Sequence, residues 1–252
     1  MEGRRYIVTG AAGGIGSAIT QVLVDRGGLV AMVDLDGDRV EEAATTFDSS
    51  RVLALPCDVT NESDVATAVE TVVDTWDGID GLVNNAGAVV LDTAWEAGAS
   101  DWRRQLDVNV TGTFLCSRQV GSHLKARGGA IVNVASNCGK VGYKNMAAYN
   151  AAKAAVISLT RSLAMEWAEH NINVNAVCPG GVDTPMLAGV AEWLEPRVGI
   201  SAADLLAGMG PTQLGRKVQP IEVARVIAFL LSDEALIIRG QAINVDGGDT
   251  PY

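Results

Sequence analysis

Tyr149 and Lys153 stand four residues apart in a stretch from Met146 to about His170 that is rich in Ala, Leu and Glu, with no Pro and no interior Gly. Such a stretch has good helix propensity, and residues four apart on a helix share a face. An ammonium near a phenol favours the phenolate, so the pairing predicts a Tyr149 usable as acid or base near neutral pH. Just upstream, Ala130 to Ala135 is an apolar, β-branched run that reads as a buried strand. It is closed by polar Ser136 and Asn137, with Gly139 beyond, which puts the Ser136 hydroxyl at a strand's carboxyl end. Isolated, a Tyr-x-x-x-Lys is better read as a surface pair and a lone Ser as a turn cap. A second signal is needed, and it lies near the amino terminus.

Arg5 to Thr9 is a short β-rich run followed directly by Gly10, Gly13, Gly14 and Gly16 and then by a helical stretch from Ser17 to about Arg26. Strand, glycine turn and helix form the context of a phosphate-binding loop. Glycines let the backbone approach a pyrophosphate, and the helix amino terminus offers free N–H groups. A second strand, Leu29 to Val33, ends in Asp34. A carboxylate there, about 20 residues beyond the glycines, accepts hydrogen bonds from the adenosine ribose and repels a 2′-phosphate. No Lys or Arg lies in the glycine loop or immediately after Asp34, so the expected cofactor is NAD.

The alternation continues, with helices at about 38–47 and 61–76 and strands at 52–55 and 79–83. A helix from Ser100 to about Lys125, a sixth strand at 173–178, a helix at 220–232 and a strand at 241–245 complete it. This predicts an α/β fold, one doubly wound parallel sheet with helices on both faces, in one domain spanning 1–252. Ligands then bind beyond the strand carboxyl ends, where Gly14, Asp34, Asp58, Asn84 and Ser136 converge. Residues 182–219 break the alternation and read as a substrate-binding lid over that edge.

With 48% hydrophobic and 19% charged residues, no long apolar run and net charge −11, the chain reads as a soluble globular protein. The acidic balance argues against nucleic acid or an anionic membrane as partner. Cys57, Cys116, Cys138 and Cys178 are widely spaced, which argues against a metal cluster and for reduced thiols in a cytoplasm. The start of the chain lacks a signal peptide's apolar region.

Taken together the residues resemble the short-chain dehydrogenase/reductase family over essentially the whole chain. The match rests on Thr9-Gly10-x-x-x-Gly14-x-Gly16, Asn84-Asn85-Ala86-Gly87, Asn109, Ser136 with Tyr149-x-x-x-Lys153, and Pro179-Gly180 followed by Thr184. The resemblance implies a seven-stranded Rossmann sheet, a nicotinamide cofactor and a homotetramer formed through the helices near 100–125 and 148–170. By the same resemblance Tyr149 is the acid/base, and Lys153 lowers its pKa and holds the nicotinamide ribose. Ser136 binds the substrate oxygen, and Asn109 supports a water in a proton relay. Gly10, Gly14, Ile15 and Gly16 face the pyrophosphate, Asp34 a ribose, and Asp58 and Val59 the adenine. Asn85, Ala86 and Gly87 lie along the cofactor, with Pro179, Gly180, Val182 and Thr184 at its nicotinamide end.

Two features are read from the residues alone. Asn109 is an unusual guest inside a helix, and it is equally a solvated side chain or a group that holds water beside the site. The lid carries Met186, Leu187 and Trp193, and Cys138 follows Ser136. These predict a mostly apolar or cyclic small-molecule secondary alcohol or ketone, with lid packing as the equal alternative. The rival functional reading is a catalytically silent dinucleotide-sensing protein, which predicts loss of Tyr149 or Lys153; both are present. Metal catalysis has no ligand cluster.

Overall fold

The computed structural model describes residues 1–211 and 213–250. Thr212, inside the segment 182–219, and Pro251 and Tyr252, at the end of the range 1–252, lie outside the described residues. Seven strands, β1 (Arg5–Thr9), β2 (Leu29–Asp34), β3 (Val52–Pro56), β4 (Gly81–Asn84), β5 (Gly129–Val134), β6 (Ile172–Pro179) and β7 (Ala242–Val245), form one sheet. Its order is β3-β2-β1-β4-β5-β6-β7, and every pairing is parallel. The order reverses between β1 and β4, which opens a crevice beyond their carboxyl ends.

Side chains alternate across the strands and feed two cores. Tyr6, Val8, Val30, Met32 and Val132 face α1 (Gly14–Asp25) and α9 (Pro220–Leu230) through Ile19, Leu23, Val223 and Ile227. Ile7, Ala31, Leu82 and Ile131 face α3 (Glu62–Trp76), α5 (Gly112–Leu124) and α6 (Ala147–Glu166) through Val69, Leu115, Val120 and Leu163. Each fully buried Leu or Ile contributes about 1.5–3 kcal/mol, so two filled faces fix the sheet. Helix starts follow the side chains that cap them: Asp36 accepts from the Arg39 N–H ahead of α2 (Gly37–Ala44), and Asn61 from Ser63 N ahead of α3.

Two expected elements differ. The helix expected over 100–125 is α4 (Ala99–Leu106), a π-turn (Asp107–Thr111) and then α5. The extra residue in the π-turn accommodates a buried Asn109 amide that donates to Gln105 O at 2.7 Å and Ala88 O at 2.8 Å. The helix expected to reach His170 stops at Glu166 and passes through a 3-10 turn (Ala168–His170), with Asn171 in the left-handed region at φ 54°. Within 182–219 lie α7 (Pro185–Val198) and α8 (Ala202–Gly208), and the base is closed by a bridge between Val182 and Val218. No helix is long and apolar enough to cross a membrane among the described residues.

Candidate active site

β5 ends at Val134, and Ser136 follows as the cap of a 3-10 turn (Asn137–Gly139), its hydroxyl accepting from Cys138 N at 3.1 Å. This turn packs against α6 so tightly that a Cβ on Gly139 would stand 2.6 Å from the Lys153 carbonyl carbon. Strand end and helix are thereby locked, which brings Ser136 close enough for its hydroxyl to favour the Tyr149 phenolate. Lys153 is buried, and its Nζ donates to Val134 O at 2.8 Å. Its Nζ also stands 5.5 Å from the centre of the Tyr149 ring. Asn109 is wholly buried, and its Oδ1 has no hydrogen-bond partner. That oxygen lies 2.9 Å, and Lys153 Nζ 3.6 Å, from where a Gly87 Cβ would be. The four side chains expected to do chemistry therefore lie together, with an unpartnered buried acceptor and the ammonium both beside Gly87. Of the two readings of Asn109, the solvated surface side chain is excluded.

The expected lowering of the Tyr149 pKa is not what this structure holds. Burial pushes the phenol above its ordinary value, the Cys138 thiol adds to this, and the Ser136 hydroxyl opposes both. Burial pulls Lys153 down to about 8. The physical reason is position: the ammonium donates to a backbone carbonyl and sits over the ring, while desolvation disfavours both charged forms. Cys138 is a half-buried thiol raised by burial, so it is no thiolate nucleophile.

The dinucleotide side is equally defined. Gly10 and Gly14 have φ of 63° and 56°, which glycine adopts freely. A Cβ on Gly16 would collide with the Gly10 carbonyl oxygen. No side chain caps the start of α1, so its first N–H groups are free for an anion, with half-buried Ile15 in the first turn. Asp34 Oδ2 accepts from Ala12 N at 2.9 Å, which holds the carboxylate against the loop. Asn85 Nδ2 donates to Thr9 O and Gly10 O, and the Thr9 hydroxyl accepts from the N–H groups of Asn85 and Ala86. Asn85 and Ala86 thus clamp the glycine loop. An open cavity lined by Leu35, Pro56, Cys57, Asp58, Asp64 and Thr67 lies beyond Asp34, with buried Val59 behind it against Gly112. Pro179 ends β6, and Gly180 packs on Asp246. Val182 is buried, and the Thr184 methyl stands 3.6 Å from a Cβ position on Gly14. Glycine cradle, uncapped helix and ribose-side carboxylate fit an adenine dinucleotide.

Sequence reasoning missed several residues. Leu35, Cys57, Asp64 and Thr67 line the cavity; Leu35, exposed beside Asp34, was the one with a local signal. Arg39 Nη2 reaches within 3.7 Å of a Cβ position on Gly13, bringing a cation to a loop that contains none. Asn137, Tyr143 and Asp249 bond one another beside Ser136, and Asp249 comes from the far end of the chain. The expected lid residues are less convergent. Trp193 is stacked under the Arg197 guanidinium at 3.6 Å, Met186 is exposed, and Leu187 is half-buried near Gly181.

A family model described as "Enoyl-(Acyl carrier protein) reductase" matches residues 10–250. The chain belongs to the short-chain dehydrogenase/reductase family. It is 41% identical over 251 residues to cis-4-hydroxycyclohexanecarboxylate dehydrogenase of Sinomonas cyclohexanicum, covering 98% of this chain and 96% of that one. It is 36% identical over 245 residues to NAD-dependent glycerol dehydrogenase of Listeria innocua serovar 6a, covering 97% and 92%. Among solved structures, levodione reductase superposes with a TM-score of 0.93 at 30% identity, covering all of both chains. This short-chain dehydrogenase/reductase is therefore an oxidoreductase acting on CH–OH donors with a nicotinamide dinucleotide.

Proposed function

We propose that the enzyme uses NAD to interconvert a mostly apolar or cyclic secondary alcohol and its ketone, with Tyr149 as acid/base. The observation that carries this is the convergence of Ser136, Tyr149, Lys153 and Asn109 at the carboxyl end of β5, beside the glycine cradle. A nicotinamide held beyond Pro179 and Thr184 would supply the hydride exchange with the carbinol carbon in either direction. Ser136 turns its hydroxyl from Asn137 Oδ1 to the substrate oxygen, and Tyr149 takes the substrate's hydroxyl proton as the carbonyl forms. Lys153 stabilises charge developing on that phenol and holds the ribose. The Asn109 Oδ1, buried without a partner, is the acceptor for a water linking Lys153 to bulk solvent. Donors fixed before reaction stabilise the alkoxide-like charge of the transition state.

NAD is favoured over NADP because the Asp34 carboxylate is held beside the glycine loop, where it repels a 2′-phosphate. Segment 182–219 serves as a lid, with Leu187, Met186 and Trp193 meeting substrate on closure and Cys138 lining the opposite wall. Hinge freedom comes from Gly199, at φ 69° after α7. The α4–α5 and α6 surfaces expose Trp102, Phe114 and Met165, which favours a homotetramer through these helices. Four unpaired cysteines fit a reducing cytoplasm.

The test is reduced-nicotinamide absorbance with NAD and, separately, NADP across cyclic, steroidal, acyl and polyol secondary alcohols. Turnover of a cyclic or apolar alcohol with NAD supports the reading. Turnover confined to polyols or acyl thioesters overturns the substrate class, and a preference for NADP overturns the cofactor.

A further inference from the structure

Beside the catalytic serine lies a carboxylate that the reaction does not use. Asn137, buried next to Ser136, accepts from the Ser136 hydroxyl through Oδ1 at 3.3 Å. Its Nδ2 donates to Asp249 Oδ2 at 2.8 Å and to the Tyr143 hydroxyl oxygen at 3.0 Å. The Tyr143 hydroxyl in turn donates to the same Asp249 oxygen at 2.9 Å. One amide group and two hydrogen bonds separate carboxylate and serine hydroxyl, a span of no more than roughly 9 Å with ordinary bond lengths.

The position of Asp249 is built. Gly247 and Gly248 turn the chain at φ 65° and 87°, and the buried Asp246 carboxylate accepts from Gly248 N at 3.0 Å and Thr250 N at 2.9 Å. Gln213, at the end of segment 182–219, donates to Gly248 O at 3.0 Å. The turn therefore joins the far side of the lid to the catalytic loop and aims Asp249 at it. Both donors on Asp249 are neutral. Burial and the Asp249 carboxylate keep the Tyr143 phenol protonated, and no ion pair reaches Asp249 among the described residues. Asp249 Oδ1 has no protein donor among those residues.

We propose that Asp249, held by Asn137 and Tyr143, is a specificity-determining residue that disfavours substrates carrying a carboxylate and offers its free oxygen to a second substrate hydroxyl. The inference rests on the alcohol dehydrogenase reading above and narrows its substrate class to uncharged alcohols, including cyclic diols. A substrate anion bound through its hydroxyl at Ser136 comes within a Debye length of this charge, which is about 10 Å at 0.1 M salt. The relative whose name carries a carboxylate on the ring therefore marks a substrate this chain handles poorly, although the two are 41% identical.

The experiment compares kcat/KM for the neutral cyclic alcohol ranked first by the substrate panel with that of its ring-carboxylate analogue and its diol. Asp249→Asn is expected to raise the carboxylate-to-neutral ratio about fivefold, the scale of one partly screened like-charge contact, and to lower the diol-to-neutral ratio. Tyr143→Phe keeps the charge and keeps the carboxylate ratio. In the unaltered enzyme, raising salt lowers the KM of the carboxylate and leaves that of the neutral alcohol in place, so the idea is tested even if a variant fails to fold. A carboxylate ratio unmoved by both Asp249→Asn and salt overturns the proposal while leaving the dehydrogenase reading intact. A carboxylate ratio raised as much in Tyr143→Phe as in Asp249→Asn signals general loosening and also overturns it. An enzyme that oxidises no alcohol at all sinks the parent reading, and this one with it.

Discussion

Lys153 Nζ donates to the Val134 carbonyl at 2.8 Å, tying the catalytic helix to the end of the strand that presents Ser136. The same bond keeps the ammonium over the Tyr149 ring at 5.5 Å from its centre. Lys153 is thus a strut between α6 and the end of β5 that carries a buried ammonium beside the phenol ring.

With burial pulling Lys153 to about 8 against an ordinary 10.5, the unfolded chain binds more protons than the folded one between these values. Stability linked to this group is full above the unfolded value and is lost as pH falls through about 8. Unfolded cysteine and tyrosine ionise in or just above the same window, while burial raises Cys57, Cys116, Cys138, Cys178 and Tyr149 in the fold. These groups therefore lower stability as pH rises, and the Lys153 share is read as the difference between variant and unaltered chain. Lys153→Met is expected to shift the slope of stability against pH between 8 and 10 downward relative to the unaltered chain in denaturant titrations. An unchanged slope would mean that the buried ammonium is not the source.

Burial holds Tyr149 protonated at neutral pH, so alcohol oxidation, which needs the phenolate, is expected to accelerate with pH through 9. Reduction, which needs the phenol, slows over the same range. Tyr149→Phe removes the group that exchanges the proton and should lower kcat by about 10³-fold, the middle of the range of general acid/base contributions. Dinucleotide affinity should stay within about twofold, because the ring remains. Retained turnover in that variant would remove Tyr149 from the mechanism.

Asp34 and Arg39 give the cofactor side a two-part test. Asp34→Ala removes the negative charge expected at the ribose and exposes a 2′-phosphate to Arg39, whose Nη2 stands 3.7 Å from a Cβ position on Gly13. The NADP-to-NAD ratio of kcat/KM is expected to rise about tenfold, equivalent to ~1.4 kcal/mol. Asp34→Ala with Arg39→Ala should lose most of that gain. If the ratio stays fixed in the single variant, the ribose carboxylate does not set cofactor choice.

The sheet, the helix order and the shared helix carrying Tyr149 and Lys153 were legible because they rest on local signals: β-branched runs, glycines before a helix, and an i,i+4 pair on a helical face. Asn109 was visible as an anomaly, but the π-turn was not, since its cause is the bond from Asn109 to Ala88, 21 residues away. The pKa of Tyr149 was misjudged because spacing says which face a lysine shares and not which acceptor its ammonium chooses. Asp249 was invisible for the same reason. It meets Asn137 across 112 residues, and no periodicity encodes that meeting.

Gly16 offers the sharpest separation between binding and folding. It lies in the first turn of α1, where a Cβ would collide with the Gly10 carbonyl oxygen and stand 2.8 Å from Asn85 Nδ2. The glycine turn must then open, which moves the free N–H groups off the pyrophosphate position and strains the Asn85 clamp on Thr9 and Gly10. Helix propensity itself favours Ala over Gly by roughly 1 kcal/mol, so stability gains there part of what the collision costs. Gly16→Ala is therefore expected to weaken dinucleotide binding at least tenfold by calorimetry, about 1.4 kcal/mol, and to lower the melting temperature by what the propensity gain does not offset. Normal affinity in a folded Gly16→Ala protein would show that the pyrophosphate does not lie on this turn.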